Sequence, residues 1–576
     1  MKKLFKCNRL QMLTVLSGSL LLLGCTNADY EFKKVDTTFG FGDGQLTLPS
    51  NNSVVVTLDD ILNLGSTDLI TTDANGDYRF GKDPESVDAV KVDVDPITNA
   101  GSTTFIPIDP FTLNDALSSQ AGKTVKLSDF GLDPLSVDQN ITAFNYSFDV
   151  PDEVVSLSQV TLQSGGAELS ITLTLPAVSK LKKFTLTLPQ QLVVTNAGIG
   201  TLTGNTLTLA ENYTMPSTQK LELKFKVTDI KASVVNHKFT LQDNVKLQVE
   251  VDEVKVPSPW SSSVTFQGEV TLSTMTVTKA TGVFAPTIDA QQVGSTTINS
   301  LPEFLTDSRV VADIDNPQIW LDITSDLPLG GTVEARLGSS TLNGYVELTK
   351  ANGNALTIGA NTTTRLVICR KAPENLSGYT PVIASNLSDI VKKLDEGMKV
   401  TIDITSFEAD QTTSTIELGH DYTLTPAYQF TAPLALGDDA VIIYNKNEGD
   451  WNKDIKDIQL STGAKAMLTA TVENSVPADL KIDITPLDNN SKTLTELTVK
   501  PIKNTVAAGV TNGEIQYEIT DNSGKGLKQL DGVNYILNVT APSADAQKGK
   551  TLNKQQKILI KDIKLQLNGN IVVDAN

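Results

Sequence analysis

The sequence predicts an all-β protein: tandem β-sandwich, immunoglobulin-like domains with a few short helices. Three observations point there. Apolar residues recur at every second position in short runs such as ELSITLTLP (168–176), KKFTLTLP (182–189), KLELKFKVTD (220–229) and KLQVEVDEVKV (246–256), the period of a strand with one face buried. Gly, Asn, Asp and Pro separate these runs at roughly eight to twelve residues, the spacing of sandwiches and barrels. Cysteine is nearly absent, with three in 576 residues, so buried cores rather than disulfides must hold the chain together.

The first element is a leader. Lys2, Lys3, Lys6 and Arg9 precede a mostly apolar run over 10–23, too short for the ~18 residues of a spanning helix. It closes on Leu22-Leu23-Gly24-Cys25. Those four residues resemble the lipobox of bacterial lipoproteins. The resemblance implies cleavage before Cys25, a diacylglycerol on its sulfur and a further acyl chain on its nitrogen. Several acyl chains on one residue anchor stably, at about 0.8 kcal/mol per buried CH₂. In Gram-negative lipoproteins an Asp after the cysteine favours inner-membrane retention. Thr26 stands here, which implies the outer membrane, on its periplasmic side or at the cell surface.

After residues 1–25 the sequence divides into a small N-terminal β-rich unit (26–125) and three β-sandwich domains (126–280, 281–440 and 441–576). In the first, Thr57 to Leu62 reads as a helix with a capping Thr, early acids and Gly65 as its stop. In TTDANGDYRF, Asn75-Gly76 suggests a hairpin with a tight primed turn. The alternation Asp73, Asn75, Asp77 also resembles acidic loop ligands, so a structural calcium is a candidate, although no bidentate Glu follows at the right distance. VPSPWSSS (256–263) reads as a loop or a domain junction. Ser300 to Leu305 reads as a single helical turn. SNLSDIVKKLDEG (385–397) is the best helix candidate, with Leu387, Ile390, Val391 and Leu394 on one face.

An internal repeat links the last two domains. IWLDITSDLPLGGTVEAR (319–336) aligns without a gap on LTATVENSVPADLKIDIT (468–485). Ser325 meets Asn474, Leu327 meets Val476, Pro328 meets Pro477 and Val333 meets Ile482. Each copy is a strand, a polar-apolar-Pro break and a second strand. YTLTPAYQFTAPLA (422–435) and YILNVTAPSA (535–544) look like a second matching pair. Residues 441–576 are thus a candidate duplicate of the preceding domain.

Composition limits function. There are 47 basic and 67 acidic residues, and the leader removes four of the bases. So acidic a chain repels phosphate backbones, which argues against nucleic-acid binding. Two histidines, His237 and His420, leave little room for Ser-His, Cys-His or multi-His zinc chemistry. His237 reads as a strand residue, His420 as a turn residue and Cys369 as a buried strand residue. No phosphate loop, dinucleotide fingerprint, GxSxG or HExxH occurs. The expectation is a non-catalytic, lipid-anchored cell-envelope protein, structural or partner-binding, without a cofactor. The other reading is glycan binding by exposed aromatics in a polysaccharide-uptake system. Its candidate residues are Trp451 and Tyr444, among Asn445, Asn447, Glu448, Asp450 and Asn452, and Trp260 in SPWSSS. The competing role for both tryptophans is to plug the ends of sandwiches.

Overall fold

The N-terminal segment supplies its strands to three different sandwiches. The structure, a computed structural model, describes residues 38–49, 52–62, 64, 69–81, 85–86, 88–231, 233–288, 290–299, 301–456, 458–460 and 463–574. Cys25 and Gly65 lie outside them. The segment contributes β1 (Thr38–Pro49), β2 (Val54–Thr57), β3 (Tyr78–Gly81) and β4 (Ser102–Thr112). Between β2 and β3 lies the short helix α1 (Leu58–Leu62). The Thr57 hydroxyl accepts from the Asp60 amide (3.2 Å) and Asp60 accepts from the Thr57 amide (2.9 Å), a reciprocal cap of the expected kind.

Seven strands then build module I: β5 (Leu135–Asp149), β6 (Ala167–Thr174), β7 (Val178–Thr187), β8 (Thr206–Thr208), β9 (Lys220–Ile230), β10 (Lys238–Lys255) and β11 (Ser263–Leu272). Module II is β12 (Gln291–Ile298), β13 (Gln318–Ser325), β14 (Gly331–Ser339), β15 (Val346–Leu348), β16 (Thr363–Cys369), β17 (Met398–Ala409) and β18 (Tyr422–Pro433). Module III is β19 (Val441–Glu448), β20 (Lys465–Asn474), β21 (Asp479–Leu487), β22 (Thr505–Val506), β23 (Gly513–Asp521), β24 (Gly532–Thr540) and β25 (Lys557–Asp574).

The same pairing recurs in all three. One sheet of module I runs β9-β6-β11-β4 and the other β5-β10-β7-β8. Module II repeats this as β16-β13-β18-β3 and β12-β17-β14-β15, and module III as β23-β20-β25-β1 and β19-β24-β21-β22. Every one of these pairs is antiparallel. The second strand pairs the fifth and the third pairs the sixth, as in immunoglobulin-like sandwiches. The first and last strands exchange sheets relative to that plan. The protein is therefore all-β, with three copies of one sandwich and few short helices.

Each copy changes sheets at the same short break. Leu175-Pro176, Leu327-Pro328 and Val476-Pro477 join the second strand to the third, and all three apolar residues are buried. Proline cannot donate to a ladder, so it ends pairing on one sheet and lets the chain cross to the other. Ser325 Oγ accepts from the Leu327 amide (3.1 Å), and Asn474 Oδ1 accepts from the Val476 amide (3.0 Å). The 319–336 and 468–485 alignment thus joins equivalent crossovers. The second matching pair does not hold: β18 lies on β13, whereas β24 lies on β21 in the opposite sheet. The counterpart of β18 is β25.

The expected N-terminal unit at 26–125 has no sheet of its own among the described residues. β1 and β2 pair with β25, β3 with β18, and β4 with β11. The segment visits modules III, II and I in that order, and the chain then returns through I, II and III.

Backbone contacts join the modules. Residues Ser414–Glu417 add to Met275–Phe284 at the edge of the module I sheet, with Lys279 paired to Glu417 at 2.8 Å. At the other junction the Tyr78 amide donates to Leu552 O (2.9 Å), the Leu552 amide to Leu434 O (2.8 Å) and the Lys554 amide to Gly76 O (3.0 Å).

Several local expectations change. The hairpin joining Ile70–Thr72 to β3 has a five-residue loop, and Gly76 alone within it has positive φ, so the turn is not primed. VPSPWSSS joins β10 to β11 within module I. His237 lies with Asn236 in a hairpin turn, both at positive φ. The segment 385–397 buries Leu387, Ile390, Val391 and Leu394 but forms only one tight helical turn, Leu387–Ile390.

Candidate functional site

The aromatic residues expected to meet a glycan do not share a surface. Trp451 is only 7 % exposed and opens a short helical turn, Asn452–Ile455. Its amide donates to Asp531 O (2.8 Å), and the next amide, of Asn452, donates to Asp531 Oδ1 (2.9 Å). These bonds draw the indole inward despite its polar neighbours. Tyr444 is half-buried on β19 and faces Leu537 of β24; burial and then Asp60 push its phenol up. Trp260 is half-buried in module I, packed against the core. A sugar needs an open ring face, and Trp451 offers none.

The calcium candidates are also committed. Asp73 Oδ1 accepts from the amides of Asn75 (2.8 Å) and Asp77 (3.0 Å), and its other oxygen meets Arg79 (3.5 Å). Asn553 Nδ2 donates to Asn75 O (3.0 Å) and to Asp77 Oδ1 (2.8 Å). This loop docks module II onto module III. Cys369 is fully buried on β16, and burial raises its thiol. His420 packs edge-on against Tyr422 at 4.7 Å.

The structure instead brings together Glu448, Trp451 and Tyr535. Glu448 ends β19 and is 8 % exposed. Its Oε1 accepts from Asn52 Nδ2 of the N-terminal segment (3.1 Å). Its Oε2 is buried without a hydrogen-bond partner, as are the Trp451 indole nitrogen and the Tyr535 hydroxyl. Burial pushes the Glu448 carboxyl up. Asn52 and the nearby indole oppose that rise, and Asp531 and Asp450 add to it. Gly532 makes the close approach possible: a Cβ there would lie 1.9 Å from Glu448 O. The sequence shows the alternation that carries this acid but not the register that buries it. Ile442, Tyr444, Lys446 and Glu448 alternate on β19 opposite the buried Val539, Leu537, Tyr535 and Val533, which turns a carboxylate inward.

No protein-family model matches the chain, and no curated protein matches it. Among solved structures, a secreted-protein candidate from Parabacteroides distasonis ATCC 8503 aligns over 49 % of this chain and 89 % of its own at 16 % identity, with a TM-score of 0.37. A structure of infectious bursal disease virus aligns over 88 % of this chain and 87 % of its own at 8 % identity, with a TM-score of 0.14. The fold assignment rests on the strand pairing of the chain itself.

Proposed function

We propose that this chain is a non-catalytic, lipid-anchored protein of the cell envelope that holds module I away from a membrane and presents it to a partner protein. The observation that supports this most is the pairing of β1 with β25. β1 lies along β25, with Thr38 opposite Asp574, and Cys25 stands thirteen positions before Thr38. A lipid on Cys25 would hold module III nearest the bilayer and leave module I farthest along the chain's path. Junctions made of backbone hydrogen bonds suit a stiff spacer.

Module I also carries more apolar surface. Among the described residues, its exposed large apolar side chains are Phe105, Phe130, Val155, Val193 and Ile199, with Phe105 at 78 %. Modules II and III and the edge strands on them carry Val55, Tyr345, Ile383 and Ile502. A protein contact needs such residues to form one contiguous patch, and Phe105 is the one among them most open to a partner.

Mass spectrometry of the processed protein tests the anchor. The expected product starts at Cys25 with a thioether diacylglycerol and an N-acyl chain, and Cys25→Ser leaves the membrane fraction. An unmodified N-terminus at another position would overturn the proposal.

A further inference from the structure

The N-terminal strands of modules I and II differ at their outer edges. In module II, β3 carries a further strand, Ile70–Thr72. In module I, β4 pairs only with β11 among the described residues, so its other edge carries no strand.

Two observations fix which backbone groups that edge presents. Pro107 has no N–H, so it fits a ladder only where its nitrogen points away from the neighbouring strand. Gln139 of β5 lies on that side: its Nε2 donates to Pro107 O (3.5 Å), and its Oε1 accepts from the Asp109 amide (3.0 Å). The register with β11 is unbroken from Ser102 to Ile108, and backbone groups alternate sides along an antiparallel strand. Thr103 and Phe105 therefore turn N–H and C=O the same way as Pro107. Gln139 covers the lower end of the edge. Among the described backbone bonds outside the ladders, none takes the outward groups of Thr103 and Phe105.

This edge also lacks the usual protection. Charged side chains keep foreign strands off most sheet edges. No charged residue stands between Pro96 and Ile108, in a chain with 67 acidic and 47 basic residues. Phe105 is 78 % exposed on the outer face.

We propose that this edge pairs with the same edge of a second copy of the chain, antiparallel about a twofold axis at Thr104, so that two module I sheets become one. Thr103 of each copy then lies opposite Phe105 of the other, and every outward N–H at these positions meets a carbonyl. Each Phe105 ring lies over the other copy's Thr103, which covers the most exposed apolar side chain in both. Charge favours a second copy as the occupant. Molecules this acidic repel, and here two of them meet with no like charges opposed in the ladder. A twofold contact needs only this one self-complementary patch. The inference rests on the reading of module I as the presented module, and not on the lipid at Cys25.

Cysteine cross-linking of the full chain carrying Thr104→Cys tests this. Position 104 faces itself across the axis in a non-hydrogen-bonded pair, where Cα atoms stand about 4.5 Å apart and a disulfide fits. Mild oxidation and peptide mapping without reduction should find a 104–104 linkage. It should form at least about tenfold faster than the 130–130 linkage of Phe130→Cys, because pairing raises the local thiol concentration. Phe130 is another exposed position of module I. Adding Thr103→Pro removes one outward N–H from each copy and spares the ladder to β11, so it should slow the 104–104 linkage about tenfold. If that variant does not fold, Phe105→Lys decides, since the ring is exposed in the single chain and a charge on the edge opposes pairing. A slower linkage supports the proposal, and an unchanged rate contradicts it. Equal rates for Thr104→Cys and Phe130→Cys, or no 104–104 linkage, would sink the paired edge and leave the reading of Cys25 as it stands.

Discussion

Modules I and III share one strand plan but differ in how much is built on it. Module I's sheets reach nine and eight strands, and module III's seven and four. The additions in module I lie outside the shared core, at sheet edges such as Val154–Leu162 and Met275–Phe284. Module III adds buried polar groups instead: Asn474, Asp521 and Glu448 all lie in or beside it. One scaffold has therefore been varied in two ways. The copy farthest along the chain from β1 and β25 carries the added edge strands, and the copy that holds both carries the polar fasteners.

If the crossover is common to all copies, equivalent substitutions should cost alike. Leu175→Ala in module I and Leu327→Ala in module II should each destabilise by about 3 kcal/mol, read by chemical denaturation. A large effect in one copy and none in the other would break the correspondence.

A smaller effect separates the two buried acids of module III. Asp521 accepts from the amides of Ser523 (2.9 Å), Gly524 (2.8 Å) and Leu527 (2.9 Å). Burial opposes its ionisation, but these amides outweigh burial and hold its carboxyl below the ordinary range. Its contribution is present above the ordinary Asp range and is lost as pH falls through the lowered value. Asp521→Asn should destabilise by about 2 kcal/mol at neutral pH, and less near pH 3. Glu448 has the opposite sign. Its folded carboxyl is raised, so its favourable contribution is full in acid and fades as pH rises past the ordinary glutamate range. Glu448→Gln should raise the neutral-pH melting temperature and change it little near pH 4. Melting curves across pH check both.

Asn52→Ala should cost about 1 kcal/mol through loss of the hydrogen bond to Glu448. The smallest expected change lies in module II. Its two sheets leave a cavity of about 40 Å³ lined by Phe80, Ile298, Val391, Val400, Tyr428 and Phe430, among others. Val391→Ile adds one methylene and should stabilise by up to about 0.8 kcal/mol; a loss would mean the space cannot accept it.

Much of the fold was legible in the sequence because a strand with one buried face writes its period directly into the residues. The polar-apolar-Pro break was legible for the same local reason, and it exposed two of the three copies. The third copy carries the same break at Thr174-Leu175-Pro176, but three residues hold too little pattern to mark a copy by themselves. Edge pairing was not legible. Thr38 meets Asp574 across nearly the whole chain, and nothing in a short alternating run names its distant partner. Trp451 misled because charged neighbours suggest exposure, whereas backbone bonds to Asp531 set its burial. Glu448 lies in the same polar stretch as Trp451, but its inward direction depends on the register with β24.

The central claim is that the N-terminal segment supplies an edge strand to each copy in reverse order. Paired cysteines test it most directly in a full chain carrying Thr47→Cys with Gln566→Cys and Thr103→Cys with Thr271→Cys. Thr47 lies opposite Gln566 in module III, and Thr103 opposite Thr271 in module I. Peptide mapping without reduction should find the 47–566 and 103–271 linkages. Linkage of 47 to 271, or of 103 to 566, would contradict the threading.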